Sequence, residues 1–189
     1  MKDEMSIRER IERFLLFSEV FSVEQHSEID SNLCNLGFYQ SPASAKHHLA
    51  IEGGLAEHSL NVAINLVDLT HKMHLTWQRP ESPYLIGLFH DLCKCDSYIK
   101  SRGPYDIEGH PYKWNDKTLF KGHGVKSVMI ASTIMQLTEE EVACITYHMG
   151  AFTDKEEWSD YTNAIHKYPN VLWTHTADMM AAHIDEEGE

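Results

Sequence analysis

The hydrophobic positions of this chain recur mostly every three or four residues, the spacing of helices that bury one face. Ile7, Ile11, Phe14 and Leu15 share a stripe opposite Arg8, Glu9, Glu12 and Arg13, which predicts an amphipathic helix over 4–17. A second helix is predicted over 27–36, with Ile29, Leu33 and Leu36 inward and Gly37 as a left-handed stop. Serine and proline make 38–48 irregular, and Gly53-Gly54 breaks the chain again before a long helix over 55–73. There Leu55, Val62, Leu66 and Leu69 form the apolar stripe, broadened by Ala63 and Val67, and His58 falls on it.

The most apolar stretch, 82–94, opens with Ser82 as a cap and Pro83 suited to the first helical turn, and it ends in His90-Asp91. From 98 to 119 glycines, prolines and aromatics predict a loop or small β-hairpin, either a lid over a site or an insertion without a role. Lys121-Gly122-His123-Gly124 opens another helix with Val128, Ile130, Ala131 and Ile134 inward. Thr138 with Glu141 is a capping-box pattern that starts a helix running through Val142, Ile145 and Tyr147 to His148. Short and long helices are predicted over 158–165 and 171–183, the latter enclosing Asp178 among Leu172, Trp173, Ala177, Met179, Met180 and Ala181. The fold class expected is therefore all-α, with a small hairpin insertion, in a single domain over 1–189.

Charge narrows the partners. The 189 residues include 29 acidic and 16 basic side chains, a formal charge of −13. Extended nucleic acid is usually held by clustered bases, so an extended duplex is excluded as the main ligand, while a small phosphorylated molecule is compatible. No apolar run approaches the roughly 18 residues of a membrane helix, and Met1-Lys2-Asp3-Glu4 does not resemble a secretory signal. These features predict a cytoplasmic protein with no membrane partner. The acidic run 185–189 reads as a solvated end. Cys34, Cys93, Cys95 and Cys144 are scattered, and Cys93-x-Cys95 lacks the two-residue gap of common zinc knuckles, so they read as reduced core thiols.

Six residues able to bind a metal lie at helix ends or on apolar helix faces: His58, His90, Asp91, His123, His148 and Asp178. Buried ionisable groups are costly unless a cation or hydrogen bonds satisfy them. The mixture of imidazole and carboxylate suits Mn, Fe, Co, Ni or Zn, whereas Mg prefers more oxygen and water. Six ligands exceed what one open metal requires, and two metals bridged by a carboxylate use them well. Such a pair would generate a hydroxide nucleophile and stabilise charge on a phosphoryl group. Lys94 is either a cation for the phosphate or leaving group, or a complement to a helix C-terminus. Lys46, His47 and His48 are either a phosphate-contacting lip or a polar turn before a helix.

At these residues the chain resembles the HD superfamily of metal-dependent phosphohydrolases, whose signature is a histidine, a later His-Asp doublet and a distant aspartate. The corresponding strings are Gly53-Gly54-Leu55-Ala56-Glu57-His58-Ser59, His90-Asp91-Leu92-Cys93-Lys94 and Thr174-His175-Thr176-Ala177-Asp178. The resemblance covers roughly 38–184 and implies an all-helical bundle. It implies that His58, His90, Asp91 and Asp178 bind one metal, with Asp91 bridging to a second held by His123 and His148. Some binuclear members have two consecutive histidines where this chain has His148-Met149. Locally, 42–55 is most similar to the HD domain of bacterial 3′-to-5′ exoribonucleases, although the helical first 37 residues leave no room for their oligonucleotide-binding fold. A freestanding acidic HD domain implies a nucleotide or other small phosphoester as substrate. The alternatives are a 3′-to-5′ nuclease on short single strands and a non-catalytic, metal-stabilised binding module.

Overall fold

Two serines set the start of the bundle. In a computed structural model that describes residues 5–101 and 111–186, Ser6 forms a capping box with Glu9 at the head of α1 (Ile7–Ser18). Ser22 does the same with Gln25 at the head of α2 (Val23–Asn35). That second box starts α2 four residues earlier than the apolar spacing predicts, because its reciprocal hydrogen bonds satisfy two orphan donors before the first buried side chain arrives. Ile11 and Leu15 of α1 and Ile29 and Leu33 of α2 are buried. Gly37 stops the segment at φ 74°, and a 3-10 turn, Phe38–Gln40, buries Phe38 and Tyr39.

The central helix is α3 (Gly54–Met73), which packs against α4 (Ser82–Phe89) and α9 (Asn170–Met180). Its predicted stripe is the buried face: Leu55, His58, Val62 and Leu66 are all inaccessible. Pro83 lies in the first turn of α4 as expected, but Ser82 does not cap it. The cap position belongs to Glu81, and the Ser82 hydroxyl instead donates to Glu141 Oε1 at 2.8 Å.

A single turn, α5 (Lys94–Ser97), leads into the insertion, where β1 (Tyr98–Lys100) pairs antiparallel with β2 (Tyr112–Trp114). The hairpin expected over 98–119 is therefore present at its base, and 102–110, part of the stretch read as either a lid or an insertion without a role, lies outside the described residues. Then follow α6 (His123–Ile134), α7 (Glu139–Thr146) and α8 (Trp158–Lys167). Thr138 and Glu141 form the predicted capping box on α7, but that helix stops at Thr146, two residues short of His148. α9 continues past Met180 as a π turn, Ala181–Asp185.

The molecule is all-α with a small two-stranded insertion. One apolar cluster joins α1–α4, α6, α7 and α9, with Phe38, Leu60, Leu85, Leu88, Phe89 and Ile145 among its fully or nearly fully buried members. No described helix is long and apolar enough to cross a membrane.

Two glycines set how closely the helices approach. A Cβ at Gly87 of α4 would lie 2.3 Å from the Ala63 Cα of α3, and one at Gly124 of α6 would lie 2.1 Å from the Thr146 carbonyl oxygen of α7. Only a residue without a side chain permits such backbone contact. The first contact draws the end of α4 to α3, and the second draws the start of α6 to the end of α7.

Candidate metal centre

Five segments converge where those glycine contacts pull the helix ends together. His58 comes from the first turns of α3, His90 caps the end of α4, and Asp91 follows it. His123 is the first residue of α6, His148 lies in the turn after α7, and Asp178 is on α9. Their imidazole rings form a chain, with centroid separations of 5.2 Å for His58–His90, 4.9 Å for His90–His148 and 5.0 Å for His123–His148.

Each of these rings has its Nδ1 engaged away from the centre. His90 Nδ1 donates to the Gly87 carbonyl at 2.8 Å and His148 Nδ1 to the Ile145 carbonyl at 2.7 Å. His58 Nδ1 donates to the Glu186 carboxylate at 3.0 Å, and His123 Nδ1 lies 3.4 Å from Cys93 Sγ. The Nε2 atoms are thereby turned inward, towards Asp91 and Asp178. This is how proteins hold metal-binding histidines, since the outer hydrogen bond fixes both tautomer and ring orientation.

Asp91 divides its carboxylate between two groups. Oδ2 faces His90 Nε2 at 3.4 Å, His58 Nε2 at 3.6 Å and Lys94 Nζ at 2.6 Å. Oδ1 faces His123 Nε2 at 2.7 Å and His148 Nε2 at 3.6 Å. Asp178 Oδ1 closes the first group, 3.2 Å from His58 Nε2 and 3.9 Å from His90 Nε2. His58, His90, Asp91 and His148 are almost wholly buried, while the His123 side chain is 36% exposed.

Charges in this enclosure hold one another. Burial would raise the Asp91 carboxyl, but Lys94, His90 and His123 keep it well below the usual carboxylate range. Burial opposes the Asp178 carboxylate too, and the hydrogen bond from His58 holds it low. His58 is desolvated, yet Asp178 and Glu186 raise its pKa to about 9. His148 is likewise raised against burial by Asp91, whereas burial outweighs Asp91 at His123 and lowers it. Lys94, though buried, is held charged by Asp91.

The donor set fits a metal. Asp91 Oδ1 and His148 Nε2 are buried without a well-formed hydrogen bond, a costly state that a shared cation would relieve. Three donor atoms come within 4.8 Å of one another in each of the sets His58–His90–Asp178, His90–Asp91–His148 and Asp91–Cys93–His123. The buried His/Asp/Cys groups could therefore hold one or more metal ions.

A cavity of about 790 Å³ opens over the centre. It is lined by His58, Asp91, Lys94, His123 and Asp178, together with Met149, Phe152, Met179, His47 and His48. Lys46, grouped with His47 and His48 in the phosphate-lip reading, the alternative to a polar turn, is exposed and does not line the cavity.

Two contributors escape the sequence reading. The run 185–189 read as a solvated end, but the Glu186 side chain is 1% exposed and bonded to His58. Its only sequence signal is distance: it lies eight residues beyond Asp178, about two helical turns on. Cys93 read as a plain core thiol, and it is buried, but it also sits against His123. Cys34, also read as a core thiol, is exposed. The chain matches no family model, no curated protein and no solved structure.

Proposed function

We propose that this chain is a divalent-metal-dependent phosphohydrolase of the HD type, acting on a nucleotide or other small phosphoester. The observation that carries the reading is the split carboxylate of Asp91, one oxygen to each of two histidine groups whose outer nitrogens are already engaged. His58, His90, Asp91 and Asp178 would hold one ion, and Asp91, His123 and His148 a second. When bound, Mn, Fe, Co, Ni or Zn ions supply Lewis acidity and bring a bound water's pKa towards neutrality.

The protein's own residues account for the rest of the chemistry. Lys94, fixed as a cation beside Asp91 and facing the cavity, offsets negative charge on a phosphoryl group or its leaving oxygen. Phe152, Met149 and Met179 give a nucleobase an apolar wall, while the cavity volume is within the range of small-molecule sites. Burial of His58, His90 and His148 excludes bulk water from one side of the centre. That strengthens each electrostatic contact within it.

The test is a screen of nucleoside mono-, di- and triphosphates, dinucleotides and short RNA with each of these metals and Mg, reading released phosphate and nucleotide. Turnover of at least one of them, lost on chelation and restored by metal, is expected. Metal binding with no turnover across the panel would leave the binding-module alternative instead.

One observation favours a second reading, a 3′-to-5′ nuclease on short single strands. Lys113, Trp114, Lys117, Phe120 and Lys121 form an exposed basic and aromatic stretch beside the centre. Trp114, Phe120 and Lys121 line a hollow that shares His123 with the main cavity. Aromatic faces and lysines together suit bases and phosphates of a single strand. Stepwise shortening of end-labelled oligonucleotides distinguishes this reading from mononucleotide hydrolysis.

A further inference from the structure

We infer that Glu186 is a positioning residue of the metal centre, setting the tautomer and donor strength of His58, and that the π turn after α9 exists at this place to deliver it. The inference rests on the reading of His58 as a metal ligand. Past Met180 the chain widens into the π turn Ala181–Asp185, closed by a hydrogen bond from the Glu186 amide to the Ala181 carbonyl at 3.1 Å. This turns the chain onto α3. There Asn65 Nδ2 donates to Asp185 Oδ2 at 2.7 Å, and Asn61 Nδ2 donates to Glu186 Oε1 at 3.1 Å. Asn61 and Asn65 follow His58 at three and seven residues along the same helix, so the three share a face.

The consequence for His58 is specific. Both Glu186 oxygens lie within reach of Nδ1, at 3.0 and 3.2 Å. A carboxylate there keeps the proton on Nδ1, so that Nε2, which faces Asp178 and Asp91, is the nitrogen that gives up its proton and offers a lone pair to a cation. His90 and His148 have neutral carbonyls in the same role, and His123 has only a thiol. A charged acceptor makes an imidazole the better donor to a cation, so His58 is the strongest of the four ligands.

A purely structural role would make Glu186 one of two pins holding the turn, equivalent to the Asn65–Asp185 bond. Cobalt(II) titration of the full chain, read by visible absorption and by competition with a chelator, separates the two roles. Glu186→Gln keeps the size and loses the charge. It is expected to weaken the tighter cobalt site 10- to 100-fold, the usual loss for an outer-shell carboxylate, and to shift the d–d bands. Glu186→Asp should recover part of the affinity, and Asn65→Ala should retain the wild-type spectrum with affinity within a few-fold.

Equal cobalt affinity and spectrum in Glu186→Gln and wild type would overturn the inference, as would a loss in Asn65→Ala matching that of Glu186→Gln. If Glu186→Gln does not fold, Asn61→Ala, which frees one Glu186 oxygen, should shift the same bands to a smaller extent; an unshifted spectrum overturns the inference. A wild-type chain that takes up no cobalt removes the ligand role of His58 itself, a different failure from indifference to residue 186.

Discussion

Gly124 meets the carbonyl of Thr146 so closely that a Cβ on residue 124 would stand 2.1 Å from its oxygen. His123 immediately precedes this contact and His148 lies just beyond it, so the spacing of α6 and α7 sets the spacing of the two rings. Gly124→Ala should push the helices apart and cost about 1–3 kcal/mol, the usual range for overpacking. On the proposed binuclear reading it should also weaken binding at His123 and His148 while sparing binding at His58, His90 and Asp178. If the wild type holds two ions per chain, as the proposed function requires, metal analysis after dialysis is expected to fall towards one. A variant that keeps both ions and the wild-type melting temperature would show that the contact yields without consequence.

Asp91 serves both histidine groups, so its loss should be felt by both. Asp91→Ala is expected to abolish phosphate release from any substrate the wild type turns over and to lower metal content below one ion per chain. Helicity by circular dichroism should be largely unchanged. Full activity in this variant would sink the assignment of the centre.

The pH dependence follows from His58. Burial alone would lower its pKa, but hydrogen bonds to Asp178 and Glu186 raise it to about 9, against about 6.5 in the unfolded chain. In the metal-free protein this contributes stability that is fully present below about pH 6.5 and is lost as pH rises through about 9. A metal must displace the same proton. Affinity at the first site should therefore rise up to about tenfold per pH unit below about 9, and flatten above it. Urea unfolding of chelated protein and calorimetric metal titration in buffers of different ionisation enthalpy would read the two opposite slopes. Absence of proton release on metal binding near neutral pH would contradict the placement of His58.

Glu141 is wholly buried and accepts from Arg79 Nε, Arg79 Nη2, Ser82 Oγ and the Thr138 amide, each at 2.8 Å. Glu141→Ala strands all of these donors. Breaking a buried ion pair costs roughly 3–5 kcal/mol, and because the Arg79 side chain is 28% exposed the lower part of that range is expected. Urea denaturation with an unchanged m-value would measure it, and a loss under about 1 kcal/mol would show that water replaces the carboxylate.

Much of this architecture is legible in the pattern of side chains. The stripe through Leu55, His58, Val62 and Leu66 and the box at Thr138 and Glu141 are local signals, carried within a few residues, and they reappear as the buried face of α3 and the cap of α7. The six ligand candidates share one physical oddity, ionisable groups on apolar faces or at helix ends, and the structure gathers them. What was hidden is non-local. Ser82 reads as a cap until Glu141, far along the chain, offers a better acceptor. Glu186 sits in an acidic run whose composition signals solvent, and only the π turn carries it inside. Lys46 is grouped with His47 and His48 by sequence, yet only the histidines reach the cavity.

The Arg79–Glu141–Ser82 cluster lies at the opposite end of α4 from His90. Eight residues of helix make a rod about 12 Å long, clamped at its base by that cluster and seated at Gly87 against Ala63. A rod pivoting at such a base transmits angle as displacement: a tilt of roughly 10° over that length moves its tip by about 2 Å, whereas a ligand must stay within about 0.5 Å of its productive place. The tolerance of the histidine–aspartate cluster is thus set partly by a carboxylate that lies outside it.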